Sequence, residues 1–466
     1  MLRSGRARRP HPPKAARSQP GGAVWFSGDP GDPATNDETL VTLETSTDRS
    51  VPDAGGRPGR RAAMPFIMAT VLIDMVSIGL IIPVLPTLVG TFVSTPAEQI
   101  DAYMWVAMAF GFANFIGSPI LGALSDRFGR RPVLLIGFSG LALSFFGTAL
   151  ASALWMLVAI RLVSGAMQAN IAVANAYVSD ITPPEDRAKR FGLLGAMFGL
   201  GFILGPVAGG LLGGIDLRLP FWCAGCLAVI NWLYGWFVLP ESLPPGDRHP
   251  VTWAKANPIG SLMHLAQLKG MGALLGVIAL SSLAQFILQS TWVLYTQLKF
   301  GWGPAQNGWS LFAVGVMSVL VQGALVGVLM RVMSARRLAV VALASSALAF
   351  AAWGAAPQGW MMYVVIGCNV LGFAVQPALQ TLVANAADPR ALGRTMGAVA
   401  GLQSLTAVLA PVIGPLLLRV AADVPRGDWR LGAPYYVCAA LQAAAMLTAA
   451  VHFNRLRTAP APAAAS

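Results

Sequence analysis

From Met64 to Arg457 the chain alternates long apolar runs with short polar connections. A helix needs about 20 predominantly apolar residues to cross a bilayer. Twelve runs meet that length, beginning near Met64, Ala102, Pro132, Trp155, Phe191, Pro220, Met271, Asn307, Leu338, Trp360, Leu392 and Gly432. The longest polar interruption, Pro240 to Lys269, follows the sixth run and contains Pro244, Pro245, Gly246 and Pro258. The pattern predicts an all-α membrane protein with twelve transmembrane helices in two six-helix bundles. These bundles cover residues 64–239 and 271–457, with a central cytoplasmic loop at 240–270. Residues 1–63 and 458–466 lack an apolar run and read as disordered tails. Met64 stands directly before the first run, so one reading makes residues 1–63 a start-site artefact.

Composition narrows the class. The 466 residues are 55% apolar and 11% charged, whereas soluble domains carry about 25% charged residues, which argues against a soluble enzyme. From Met64 onward many of the 50 glycines and 33 prolines interrupt apolar runs, where small residues let helices approach closely. Cys223, Cys226, Cys368 and Cys438 also sit in apolar runs and read as packing residues, not a disulfide scaffold.

A formal charge of +12 raises the question of nucleic acid. Assigning alternate loops to one side collects 16 Lys/Arg there and five on the other. By the positive-inside rule both termini are cytoplasmic in the cell (inner) membrane. The basic balance is therefore a topology signal, and no nucleic acid is expected. The basic opening of the tail lacks a following apolar region and does not read as a signal peptide.

An internal repeat accompanies the division. Gly122, Leu124, Arg130 and Arg131 recur in weakened form as Gly327, Leu329, Arg336 and Arg337, and Gly205, Pro206 and Gly209 recur as Ala410, Pro411 and Gly414. Both Gly122 to Gly327 and Pro206 to Pro411 are separated by 205 positions. Duplicated helical halves are a common transporter plan, with the substrate site between them near mid-membrane.

Asp74 is the one acid placed within a run; the other 19 lie in the tail, in loops or at helix ends. An unpaired carboxylate in hydrocarbon takes a proton in preference to remaining charged. Asp74 is thus a candidate proton carrier or counter-ion for a cationic substrate, with a structural carboxyl hydrogen-bonded between helices as the alternative. Arg161, in RLVSGAMQAN, is a lone cation in the fourth run. It either faces a cavity or partner and tunes Asp74, or snorkels to an interface near Trp155.

Three further groups carry candidate chemistry. GALSDRFGRRP places Gly122, Asp126, Arg127, Gly129, Arg130 and Arg131 in a short surface connection, where glycines permit a tight turn and the charges can latch a gate. GFILGPVAGG contributes Gly201, Gly205, Pro206, Gly209 and Gly210; Pro206 is expected to break the helix, and the glycines serve dense packing or a conformational change. Asn114, Gln168 and Asn170 in the first half, and Gln285, Gln289, Trp292 and Gln376 in the second, are candidates for the substrate path. Intramembrane amides also serve simply to join helices.

These residues resemble signatures of the major facilitator superfamily. GALSDRFGRRP is similar to its second-to-third-helix signature, and RLVSG to its fourth-helix RxxxG signature. IGLIIPVLP and GLGFILGPVAGG resemble the first- and fifth-helix signatures of its drug/proton antiporter branch, tetracycline-efflux type, with resemblance extending over roughly Met64 to Arg457. The resemblance implies alternating access, export of a small hydrophobic or cationic compound against protons, proton coupling through Arg161, and no cofactor. Ser144, Ser318 and Ala347 stand where tetracycline exporters carry an acid, a histidine and an acid. A multidrug substrate is therefore weighed equally with tetracycline. The alternatives are a symporter or facilitator for a neutral solute and a non-transporting receptor or scaffold. The four histidines lie outside the run interiors, and HExxH and GxxxxGK[ST] are absent, so neither an intramembrane enzyme nor an ATP-driven pump is expected. The expected form is a monomer in the lipid bilayer.

Overall fold

A computed structural model describes residues 58–168, 170–183, 186–244, 246, 248, 271–386 and 392–458. The tail reading at 1–57, most of the central loop and the end beyond 458 lie outside the described residues. The first helix, Pro58–Ile81, already begins ahead of Met64. Among the described residues, all regular structure is helical.

Among the described residues, eleven helical segments are long and apolar enough to cross a membrane. In chain order the first six are Met64–Gly90, Pro96–Phe128, Arg130–Leu150, Leu154–Ile181, Lys189–Ile215 and Leu219–Phe237. The seventh to ninth are Gly272–Phe300, Pro304–Val332 and Ala335–Ala355, and the eleventh and twelfth are Thr395–Arg419 and Trp429–Arg455. Between them lies Trp360–Cys368 with Gly372–Ala386, bent by 57° at the junction and taken here as the tenth span.

Local chemistry sets the ends. Thr95 accepts a hydrogen bond from the Glu98 backbone N–H at 3.2 Å, and Pro96 opens the helix behind it. Gly129, at φ 104°, turns the chain between the second and third spans. Gly301, at φ 71°, ends the seventh span, and Pro304 starts the eighth.

Ile67, Leu134, Phe138, Tyr177 and Leu194 are core residues of the first half. In the second half Trp292, Tyr295, Phe350, Trp353 and Tyr435 form an aromatic core. Large apolar residues such as Trp155, Ile215, Phe237 and Val420 face outward, as hydrocarbon contact requires.

The halves meet unevenly along the membrane normal. At one end of the fifth span a Cβ on Gly210 would lie 2.6 Å from the Pro304 carbonyl oxygen, and one on Gly308 would lie 3.0 Å from the Gly210 Cα. At the other end, a Cβ on Gly192, Gly195, Gly323 or Gly327 would meet nothing within 4 Å. The molecule is therefore closed on the face opposite the arginine-rich loops and parted on theirs.

Polar contacts reinforce the closed end. Arg419 Nε donates to both Asp101 oxygens at 3.2 and 3.0 Å, joining the eleventh span to the second. Gln99 Nε2 donates to the Pro86 carbonyl at 2.8 Å and to Gln297 Oε1 at 3.2 Å, joining the second span to the seventh. Half-exposed ion pairs contribute up to about 1 kcal/mol. Asp101→Asn is thus expected to raise the population open on this face by up to about fivefold. Accessibility of an introduced cysteine on that face measures the shift. Exchanging the charges, with Asp101→Arg and Arg419→Asp together, is expected to restore the parent population.

Candidate functional site

Asp74 lies in the interior of the first half, 5% exposed. Asn170 Nδ2 donates to Asp74 Oδ1 at 3.3 Å, a long hydrogen bond for an ionised acceptor. Asn170 reaches this place because the fourth span is interrupted: one helix ends at Met167 and the next begins at Asn170. The second span supports the break, with Asn114 Nδ2 donating to the Gln168 carbonyl at 3.1 Å. Gly137 on the third span leaves the volume that Asn170 occupies, because a Cβ there would collide with the amide. The predicted path residues Asn114, Gln168 and Asn170 therefore meet at a helix break beside Asp74.

The fifth span connects this site to the other half by two glycine faces. Gly201, Gly205 and Gly209 repeat at one-turn spacing and pack on Met75, Gly79 and Leu80 of the first span. A Cβ on Gly205 would lie 2.6 Å from the Gly79 Cα. Pro206 and Gly210 face Gly308 on the eighth span. The helix Arg187–Ile215 runs through Pro206, correcting the expectation of a broken fifth helix; the close neighbours support it.

Arg161 is 6% exposed, and its Nε and Nη2 atoms have no partner among the protein atoms of the described residues. Tyr103 of the second span is its electrostatic neighbour. Burial removes the snorkelling alternative. Arg161 precedes Asn170 by nine residues, on the other side of the break in the span. Asp74 has its contact with Asn170 instead, so the expected direct tuning of Asp74 by Arg161 is not built into this conformation.

The 122–131 motif organises the first half. Arg130 pairs with Asp126 and, at 3.1 Å, with Asp180 of the fourth span. Glu241 accepts the backbone N–H groups of Arg130 at 2.8 Å and Arg131 at 3.3 Å, capping the third span. Arg131 also donates to the Trp236 carbonyl. Arg127 is exposed beside the Phe128 ring. Gly129 supplies the turn, because a Cβ there would strike Glu241, and Gly122 faces open space. The observed partners thus tie together the second, third, fourth and sixth spans, all within the first half, on the parted face.

In the second half, Trp292 is 3% exposed, donates from Nε1 to Ser310 Oγ at 2.9 Å and packs edge-on to Trp353. The structure places it in the core, and the predicted aromatic path wall is corrected accordingly. Gln285 is half-buried and Gln289 exposed. Gln403 Nε2 donates to Gln376 Oε1 at 3.5 Å beyond the bend of the tenth span. At that bend Ser345 Oγ donates to Asn369 Oδ1 at 3.2 Å. Interrupted helices in two halves mark the usual position of a transporter site; the fourth span is interrupted at Gln168 and the tenth is bent near Asn369, 201 positions later and so one helical turn short of the 205-residue repeat. Among the described residues no group of three or more His, Cys, Asp or Glu is assembled as a metal site.

Sequence reasoning missed Asp180 and Glu241 as partners of the arginine motif, and Asp101 with Arg419 as a link between halves. Their signal was weak, since each reads as an ordinary helix-end charge until the chain is folded. The tenth-span break was more accessible, since Asn369 and Gly372 interrupt an apolar run.

Comparison with known proteins agrees with this architecture. The family model described as Major Facilitator Superfamily matches residues 67–411 and 274–465. The "Tetracycline resistance protein, class C" of Escherichia coli is 36% identical over 377 residues, covering 80% of this chain and 94% of that protein. "Multidrug resistance protein 2" of Bacillus subtilis (strain 168) is 28% identical over 364 residues, covering 77% and 88%. The crystal structure of the human organic anion transporter MFSD10 (TETRAN) superposes with a TM-score of 0.62 at 23% identity, covering 84% of this chain and 100% of that one. With its paired helical halves, its arginine-bearing second-to-third-helix turn and a family match along most of its length, the chain belongs to the Major Facilitator Superfamily.

Proposed function

We propose that the protein exports a small hydrophobic or cationic drug across the inner membrane in exchange for protons. The observation that carries this reading is a buried Asp74 on a helix seated against the glycine seam of the fifth span. The opposite face of that span meets the second half through Gly210 and Gly308. A change of charge at Asp74 alters the solvation demanded of its surroundings. The first span responds by shifting, and close-packed glycines pass the shift to the interface between halves. Proton and cationic substrate then compete for one carboxylate, which couples their opposite movements.

Both tetracycline and structurally unrelated drugs fit this reading, as the names of the two relatives illustrate. The second-half groups near the tenth-span bend are uncharged amides and hydroxyls, suited to a substrate with few fixed charges. Ser318 accepts a hydrogen bond from Gln322 within the eighth span, beside the π-helical turn Val321–Leu325, a feature frequent at functional sites. The same reading includes cytoplasmic termini, bundles at 64–239 and 271–457 joined through 240–270, a monomeric state in lipid and no enzymatic step. The motif at 122–131 braces the first half and forms the cytoplasmic latch when the parted face closes. Arg161 serves the open-outward state, where its free donors gain access to substrate or water.

In proteoliposomes loaded with a pH dye, Asp74→Asn is expected to lose proton movement driven by drug by at least roughly tenfold while retaining drug binding. Unchanged, pH-dependent exchange by this variant would contradict the reading. Proton movement driven by a sugar but by no drug would favour the neutral-solute symporter. For the seam, Gly205→Leu forces the first and fifth spans apart and is expected to reduce transport at least about tenfold. Gly272→Ala, where an added Cβ meets nothing within 4 Å, is expected to transport as the parent does. Drug flux normalised to protein in the membrane compares them.

A further inference from the structure

The fifth and eighth spans run antiparallel in a fixed register. A Cβ on Gly308 would lie 3.0 Å from the Gly210 Cα, one on Gly315 2.7 Å from Ile203 Cγ1, and one on Gly199 3.1 Å from Val319 Cγ2. Gly210, Ile203 and Gly199 thus meet Gly308, Gly315 and Val319, and steps of seven and four residues along one span match steps of seven and four along the other. Past Gly199 and Val319 the helices part. Four residues further on stand Gly195 and Gly323, followed by Gly192 and Gly327; all four are exposed, and a Cβ on any of them would meet nothing within 4 Å. Glycine weakens a helix interior, yet none of the four has the positive φ that would demand it.

Helical pitch keeps these glycines on the facing stripe. Gly192 precedes Gly210 by 18 residues, five turns at 3.6 residues per turn. Gly327 follows Gly308 by 19, one residue too many for five α-helical turns. The π-helical turn Val321–Leu325 lies between them and takes up the extra residue, because its hydrogen bonds close over five residues instead of four. We propose that Gly195 with Gly323 and Gly192 with Gly327 form the backbone seam that shuts the arginine-rich face in the other transport state, as Gly210 with Gly308 shuts the face now closed. The inference rests on the reading that the protein alternates between two open faces. Closure buries no charge, since residues 191–200 and 319–330 include no Lys, Arg, Asp or Glu. Gln322, the polar side chain in these stretches, already donates to Ser318 within its own span. The 122–131 motif latches at the surface what this seam closes within the membrane.

Disulfide formation in the full chain in lipid nanodiscs tests the register. Cysteine fits at each of the four positions in the observed state, since an added Cβ meets nothing within 4 Å. A disulfide requires Cα atoms about 4.4–6.8 Å apart, and a mismatch of one helical turn adds about 5 Å. The matched pairs, Gly195→Cys with Gly323→Cys and Gly192→Cys with Gly327→Cys, are expected to cross-link at least roughly tenfold faster than the crossed pairs, Gly195→Cys with Gly327→Cys and Gly192→Cys with Gly323→Cys. Mass spectrometry identifies the joined peptides, so Cys223, Cys226, Cys368 and Cys438 stay in place. Spin labels at Leu193 and Val328 report separately whether the face closes, and Gly323→Leu carrying those labels is expected to lose at least about fivefold of the short-distance population. Crossed pairs that link as fast as matched ones, matched pairs that fail to link although the spin-label distance shortens, or an unchanged population in Gly323→Leu overturn the seam and leave alternating access standing. A spin-label distance that never shortens, whatever the pH or drug, overturns the alternating-access reading and the seam with it.

Discussion

A carboxylate placed in an apolar bundle with one long hydrogen bond to Asn170 is the constraint on which the rest depends. Hydrocarbon and packed side chains offer no bulk water to stabilise its charge, so its charged form requires a partner, a cation or a rearrangement. The surroundings are arranged around that requirement. The fourth span breaks to bring Asn170 to the acid, Asn114 satisfies the freed Gln168 carbonyl, and Gly137 gives the amide its volume. Each feature removes a local cost that would otherwise close the site.

The second requirement is mechanical. A change at Asp74 has consequence for the opposite half only if the helices between them cannot absorb it. The glycine seam between the first and fifth spans brings backbone against backbone, with no flexible side chains to yield. Its second face presents Pro206 and Gly210 to Gly308. The halves touch there and part near Gly192 and Gly327, so one end of the fifth span acts as a pivot. Asp101 with Arg419 and Gln99 with Gln297 add polar closure on the same face. These contacts favour the observed state modestly, as a gate that must reopen requires.

Much of this was legible before folding because the bilayer restricts the solutions available to a chain. Run length indicated the spans, and Asp74 stood out as a charge in an apolar run; the arginine imbalance is the ground on which cytoplasmic termini are proposed. The glycine spacing at 201, 205 and 209 signalled a close helix face, but not that its partner is the helix bearing Asp74. Arg161 shows the limit most clearly: sequence placed a cation in the same bundle as the acid, while in the fold the side-chain partner of Asp74 is Asn170, nine residues further along the span from Arg161. Trp292 shows another limit, because an aromatic ring suits a drug site and a protein core equally well, and Ser310 holds it in the core. Long-range partners such as Glu241 for the third-span amides have no local signature at all.

On the proposed reading, the protonation state of Asp74 selects which face of the transporter is open. Spin labels at Leu193 and Val328, both exposed on the parted ends of the fifth and eighth spans, report that opening by double electron–electron resonance in lipid nanodiscs. The account predicts that the distance distribution of the parent changes with pH and that Asp74→Asn holds one distribution at every pH. A variant that opens and closes with pH as the parent does would contradict it.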